Sequence, residues 1–295
     1  MFDAVVIGGS YAGLSAALQL ARARRSTLIV DEGNRRNRFA DASHGFLGQD
    51  GRAPADIAAD ARAQLMSYPT VEWVDARAQG ASSTPTGFSV GLADGTAYES
   101  RRVILATGVV DALPEIPGLS ERWGKSVFHC PYCHGYELDN GPVGVLAVSP
   151  LSMHHALLLP EWGRTTFFTN GAFEPDAEQL TQLRQRGVRV ENVPVARVVG
   201  NADVVLNDGR VISLNGLFTM THVSMASPLA EQLGCGFEQG PAGPFIQTDA
   251  FKETTVPGVF ACGDAARGFG SVALAVGDGA LAGVATHQSL VFRDT

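Results

Sequence analysis

The chain has 295 residues, 45% hydrophobic and 18% charged, with a formal net charge of -8. That length is about two domains' worth and can bury substantial cores, while the negative balance without a basic run argues against nucleic acid as a partner. No stretch is long and apolar enough to span a bilayer, and the start Met1-Phe2-Asp3 lacks the charged and small-residue features of a secretion signal, so a soluble cytoplasmic protein is expected.

In chain order, residues 3–8 read as a strand, 12–24 as an Ala/Leu-rich helix and 27–30 as a second strand, which is a β-α-β unit. Between the first strand and the helix lies Gly8-Gly9-Ser10-Tyr11-Ala12-Gly13. Gly8 allows a tight turn and Gly13 close helix packing, and the helix N-terminus offers N–H groups to a pyrophosphate. Ser10 at the middle glycine position weakens the match. Asp31 ends the second strand about 20 residues on, where a carboxylate can hold ribose hydroxyls, with Glu32 beside it. The basic run 34–38, including Arg38, reads either as the adenosine end of a dinucleotide site or as a solvated loop.

A helix with Pro at its start covers 54–67. Residues 88–92 and 98–105 form a hairpin about the turn 93–95, leading into Ala106-Thr107-Gly108, a small-residue turn a dinucleotide can pass closely. The Pro-rich joint 113–118 marks a boundary. A second alternation follows, with strands at 143–148, 165–169 and 188–190 and helices at 151–159 and 176–186. Last come a strand at 259–261, the turn Gly263-Asp264, and a long helix from Ser271 and Val272 to 290.

The fold class expected is α/β with two dinucleotide-binding-type, Rossmann-like three-layer domains, the second inserted in the first. The boundaries expected are 1–112 and 222–295 for the two parts of the first domain and 113–221 for the insertion.

The strongest motif is His129-Cys130-Pro131-Tyr132-Cys133-His134-Gly135-Tyr136-Glu137. Two of the four cysteines sit here at a spacing that in a reducing compartment is more often redox-active or metal-binding than a structural staple. A helix start or a nearby histidine lowers a thiol pKa, and His134 is the natural acid/base. Zinc is the competing reading, but a closed site needs four ligands and Cys235 and Cys262 stand far apart; those two are expected in the core. His154 and His155 are adjacent on a helix and lack the i, i+4 spacing of a metalloprotease pair. His44, Tyr136 and Glu137 are candidates for shaping the dithiol site, without a placement from sequence.

Together, the glycine loop, Asp31, residues 106–108, Gly263-Asp264 and the Cys-x-x-Cys just inside the inserted domain resemble the low-molecular-weight thioredoxin reductases over the whole chain. The resemblance implies FAD, held by Gly8, Ser10, Ala12, Gly13, Asp31, Glu32, Arg38, Ala106, Thr107, Gly108, Gly263, Asp264, Ser271 and Val272. It also implies a homodimer, with Cys133 as the thiol facing the flavin and Cys130 as the interchange thiol. His134 stands where that family has an acidic residue. Asp264 is expected on the ribityl or phosphate region, and the last helix directs its positive end at the isoalloxazine.

The inserted domain departs from the pattern. After its first strand the chain reads Ala147-Val148-Ser149-Pro150-Leu151-Ser152, without glycine, and after the next strand Thr169-Asn170-Gly171, without the arginine fork expected for a 2'-phosphate. With Cys-Pro-x-Cys-His-Gly-Tyr-Glu, this resembles the dithiol oxidases of the gliotoxin and holomycin type, which close a disulfide in a small natural-product dithiol and pass the electrons through FAD to O2; no metal is expected in this chain. The alternatives left open are a thioredoxin reductase-like enzyme fed by NADPH or ferredoxin and acting on a thioredoxin-like protein, and a redox-sensing flavin-binding protein. A glutaredoxin-like module is disfavoured because 129 residues precede the motif.

Overall fold

The computed structural model describes residues 1–293. The chain forms two compact units, one of residues 1–38, 46–110 and 223–295, the other of 39–45 and 111–222. Segment 39–45, expected in the first domain, packs with the second, a long-range placement for which the sequence carries no local signal.

The first unit is built on a seven-stranded sheet ordered Val71–Asp75, Thr27–Asp31, Phe2–Ile7, Ala97–Leu105, Gly87–Leu92 and Ala78–Thr84, with Val259–Ala261 also on Ala97–Leu105. Strand Ala97–Leu105 pairs parallel with Phe2–Ile7 along one edge, while its other edge serves two partners in turn: its first half pairs antiparallel with Gly87–Leu92, and its last residues pair parallel with Val259–Ala261. The parallel part is buried on both faces, as the unbroken apolar runs Ala4–Ile7, Leu28–Val30 and Val103–Leu105 require. Helix Tyr11–Arg22 shows why helix forms here: Ala and Leu dominate, and Leu14, Ala17 and Ala21 fall on one buried stripe. It packs on the closing helix Val272–Phe292. Strands Val71–Asp75 and Ala78–Thr84 are absent from the sequence reading because their polar residues blur the alternation.

The second unit has a five-stranded parallel sheet ordered Arg189–Glu191, Gly163–Phe168, Asn140–Leu146, Gly216–Thr219 and Val127–Phe128. A three-stranded antiparallel sheet, Val195–Val199, Asp203–Leu206 and Val211–Ile212, accompanies it. Both units are therefore Rossmann-like α/β folds. The expected helix 151–159 is broken into a 3₁₀ turn at Pro150–Ser152, a short α-helix Met153–Leu158 and a second 3₁₀ turn at Leu159–Glu161; Pro150 and Pro160 supply no N–H to continue the ladder. No helix among the described residues is long and apolar enough to cross a membrane.

Candidate functional site

In the first unit, strand Phe2–Ile7 ends at Gly8 with φ of +102°. A Cβ there runs into the Ala106 carbonyl oxygen, and one at Gly13 into the Gly8 carbonyl, so both positions need glycine for close approach. A Cβ at Gly263 would stand 2.8 Å from the Ala12 Cβ. Gly8, Ala12, Gly13, Ala106 and Gly263 thus share one small-residue floor, which Thr107 and Gly108 continue at the end of Ala97–Leu105. Ser10 begins helix Tyr11–Arg22 without a side-chain cap, and no acidic residue lies in the first turn. The first-turn N–H groups and the positive helix end are left for an anionic group. Asp31 faces the loop and accepts from the Gly9 N–H at 2.9 Å. A floor of small residues, an uncapped helix start and a carboxylate fit the diphosphate and ribose of a dinucleotide.

The remaining expected cofactor residues divide. Asp264 Oδ2 accepts from Arg36 Nη1 at 2.8 Å, and Ser271 caps the helix that Val272 begins, accepting from Leu274 N–H at 3.2 Å. Glu32 faces Arg77 at 3.7 Å, and Arg38 Nη1 donates to the Arg35 carbonyl at 2.8 Å. Two further residues lie beside this floor, Arg36 of the basic run and Trp73, the second of which the sequence reading did not reach. Arg36 reaches a carboxylate 228 positions away, and the Trp73 ring lies where a Cβ at Gly9 would be, under the Arg62 guanidinium at 4.1 Å.

In the second unit, Cys130 and Cys133 are joined in a disulfide with Cα atoms 5.3 Å apart. Pro131 favours a helix start by its fixed φ and missing N–H, so Cys130 becomes the N-cap of the single turn Pro131–His134. Cys133 N–H then donates to the Cys130 carbonyl at 3.2 Å and Gly135 N–H to the Pro131 carbonyl at 2.7 Å, which brings the two sulfurs to the same side. Tyr132 is exposed and meets Trp162 edge-on at 5.2 Å.

His134 follows the second sulfur and stacks on Phe128, with centroids 4.3 Å and planes 18° apart. Burial, with help from the neighbouring His129 and His44, pushes its pKa down to about 4. The imidazole is therefore neutral at physiological pH and enters any reaction as a proton acceptor. His134 lines a pocket of about 430 Å³ together with His44, Glu137, Lys125, Phe128 and Leu138. His44 Nδ1 stands 3.4 Å from Glu137 Oε1.

Cys235 and Cys262 are free thiols in the core, as expected; complete burial pushes Cys262 up to about 12, which leaves it an inert thiol. His155 is buried with its pKa down to about 4, mainly through burial. Among the described residues, no three or more His, Cys, Asp and Glu side chains are grouped to hold a metal.

At the strand ends of the second sheet, the loop satisfies itself. Val148 N–H donates to Ser152 Oγ at 3.1 Å, Ser152 N–H to the Ser149 carbonyl at 3.0 Å, and Pro150 carries no N–H. Beyond Gly163–Phe168, Asn170 Oδ1 accepts from Val195 N–H at 2.9 Å and Thr169 Oγ1 approaches Asn192 Oδ1 at 3.2 Å.

Two Rossmann-like units, one with a dinucleotide floor and one with a Cys-x-x-Cys disulfide, define a flavin-dependent disulfide oxidoreductase. The family model for pyridine nucleotide-disulphide oxidoreductases matches residues 2–279, and the chain belongs to that family. It is 35% identical to the thioredoxin reductase tcpT of Claviceps purpurea, over 98% of this chain and 94% of that protein. It is 31% identical to the thioredoxin reductase aclD of Aspergillus oryzae, over 100% and 98%. Among solved structures it resembles an oxidoreductase from Agrobacterium tumefaciens, at 59% identity and a TM-score of 0.96 over 99% of both chains. The crystal structure of HlmI is similar at 38% identity and a TM-score of 0.91, over 99% of this chain and 93% of that one.

Proposed function

We propose that this protein is an FAD-dependent dithiol oxidase that closes an intramolecular disulfide in a small-molecule dithiol, with O2 as the terminal acceptor and no nicotinamide cofactor. The observation that carries the reading is the strand-end loop of the second unit, where Ser152 occupies the Val148 N–H and Pro150 removes another donor. A pyrophosphate needs such N–H groups unclaimed and a glycine for close approach.

The residues named above in the first unit would hold FAD: Gly8, Ser10, Ala12 and Gly13 at the diphosphate, Asp31 at the ribose, and Ala106 and Gly263 along the floor. Bound FAD supplies a two-electron acceptor for the enzyme dithiol that O2 regenerates with release of hydrogen peroxide. At the second unit, a substrate thiolate attacks Cys130, the Cys130–Cys133 bond breaks, and Cys133 leaves as thiolate. The second substrate thiol attacks the mixed disulfide, so the substrate departs oxidised and the enzyme holds two thiols. Neutral His134 accepts the thiol proton in the first attack. The reading takes the protein as a homodimer of the cytoplasm, which light scattering after size exclusion and fractionation of the source cells would check.

The test is anaerobic titration of the yellow protein with dithiothreitol, NADPH and NADH. Stoichiometric bleaching by the dithiol and little by either nucleotide is expected. Rapid bleaching by NADPH would instead favour the second reading, a reductase of a thioredoxin-like protein, which the similarity to the thioredoxin reductases tcpT and aclD supports.

A further inference from the structure

We infer that His44 and Glu137 form a proton relay for His134, carrying protons between the disulfide site and solvent across the pocket that all three side chains line. The inference rests on His134 acting as the acid/base beside Cys133.

Three observations converge. Phe128 covers one face of the His134 ring at 4.3 Å, so exchange has to take place at the ring edge, and His134 is itself part of the pocket wall. Glu137 lies three residues beyond His134 on the turn Tyr136–Leu138, which continues the helical turn of the motif and brings both side chains to the same pocket. His44 comes from the distant segment 39–45, which packs with the second unit, and its Nδ1 faces Glu137 Oε1 at 3.4 Å. Segment 39–45 thereby delivers an imidazole to the first carboxylate that follows the Cys-x-x-Cys.

The chemistry requires such a path. Oxidation of the enzyme dithiol to the disulfide releases two protons along with the two electrons that the family's flavin accepts, and the reverse reaction takes both protons up. His134 is neutral at physiological pH and, with its pKa near 4, does not retain a proton taken from a thiol. The proton has to move on, and Glu137, whose side chain is 43% exposed and faces His44 at 3.4 Å, offers it a way to water. The other charged or titratable groups facing this cluster are Asp41 and Lys125 on the pocket wall and His129 before Cys130.

The test uses the flavin-loaded protein, with dithiothreitol as the reductant. Rapid-quench alkylation counts the Cys130 and Cys133 thiols as they form, independently of flavin colour, across a series from about pH 6 to 9. His134→Gln, His44→Ala and Glu137→Gln are each expected to slow thiol formation by about tenfold or more and to change the shape of the pH profile. Glu137→Asp, which keeps the carboxylate, restores most of the rate, and added imidazole restores the His44→Ala variant. A slow His134→Gln with His44→Ala and Glu137→Gln at the parental rate, or a slow His44→Ala that imidazole leaves unrescued, overturns the relay. A parental rate for His134→Gln overturns the acid/base reading and the relay with it. Flavin bleaching followed in parallel tests the dithiol oxidase reading separately.

Discussion

The Phe128 ring and the His134 imidazole stack face to face, with centroids 4.3 Å apart. Phe128 is buried at the end of strand Val127–Phe128, so the edge strand of the second sheet sets the environment of the residue next to the redox disulfide. Replacing Phe128 with leucine keeps an apolar side chain and removes the stack, admitting water to one face of His134. Burial is the largest cause of the depressed pKa, so Phe128→Leu should raise it toward the ordinary histidine value near 6.5. An NMR titration of the His134 ring protons measures this directly, and an unmoved midpoint would show that the stack does not control the titration.

His134 and His155 both have pKa values of about 4, against about 6.5 in an unfolded chain. Between those values the unfolded chain binds protons that the folded one refuses, so stability falls as the pH drops from about 6.5 to 4 and changes little from this source above 6.5. At the acid limit each site costs on the order of 3 kcal/mol. Urea denaturation across this range should show the decline, and His155→Gln should flatten it in part. A slope identical in the variant and the parent removes His155 as a contributor.

Cys130→Ser and Cys133→Ser should each abolish dithiol turnover, because neither leaves a disulfide to exchange. Each should retain its flavin, since the floor proposed to hold it is built from residues of the first unit. Oxygen uptake with dithiothreitol measures the first outcome and the visible flavin spectrum the second. Steady turnover in either variant would move the chemistry to another group.

At Gly13 an added Cβ would strike the Gly8 carbonyl oxygen, and main chain on both sides cannot give way cheaply. Gly13→Ala should push helix Tyr11–Arg22 away from the turn and lower flavin content well below stoichiometry, together with a loss of about 1–3 kcal/mol in stability. The ratio of flavin to protein absorbance after purification, read beside the unfolding midpoint, tests this. Full flavin occupancy in the alanine variant would remove this turn from the cofactor site.

Much was legible in local patterns. Pro131 after Cys130 marks the helix start that pairs the sulfurs, the glycines at 8 and 13 mark the close approach, and the buried runs at 4–7 and 103–105 mark parallel strands. Each is a statement about a few adjacent residues, where φ restrictions and apolar periodicity act directly. The polar strands Val71–Asp75 and Ala78–Thr84 escaped because pairing in a sheet, not their own composition, holds them extended.

The sequence by itself determined the small-residue turns at Gly8 and Gly13, the disulfide pair and the alternation of strands and helices, because these follow from steric limits and spacing along the chain. Only the tertiary structure decided that His44 meets Glu137, that Arg36 reaches Asp264, and that Phe128 covers His134. Those contacts join side chains whose proximity depends on how sheets and loops pack, and packing free energy is summed over the whole fold rather than written in any short segment.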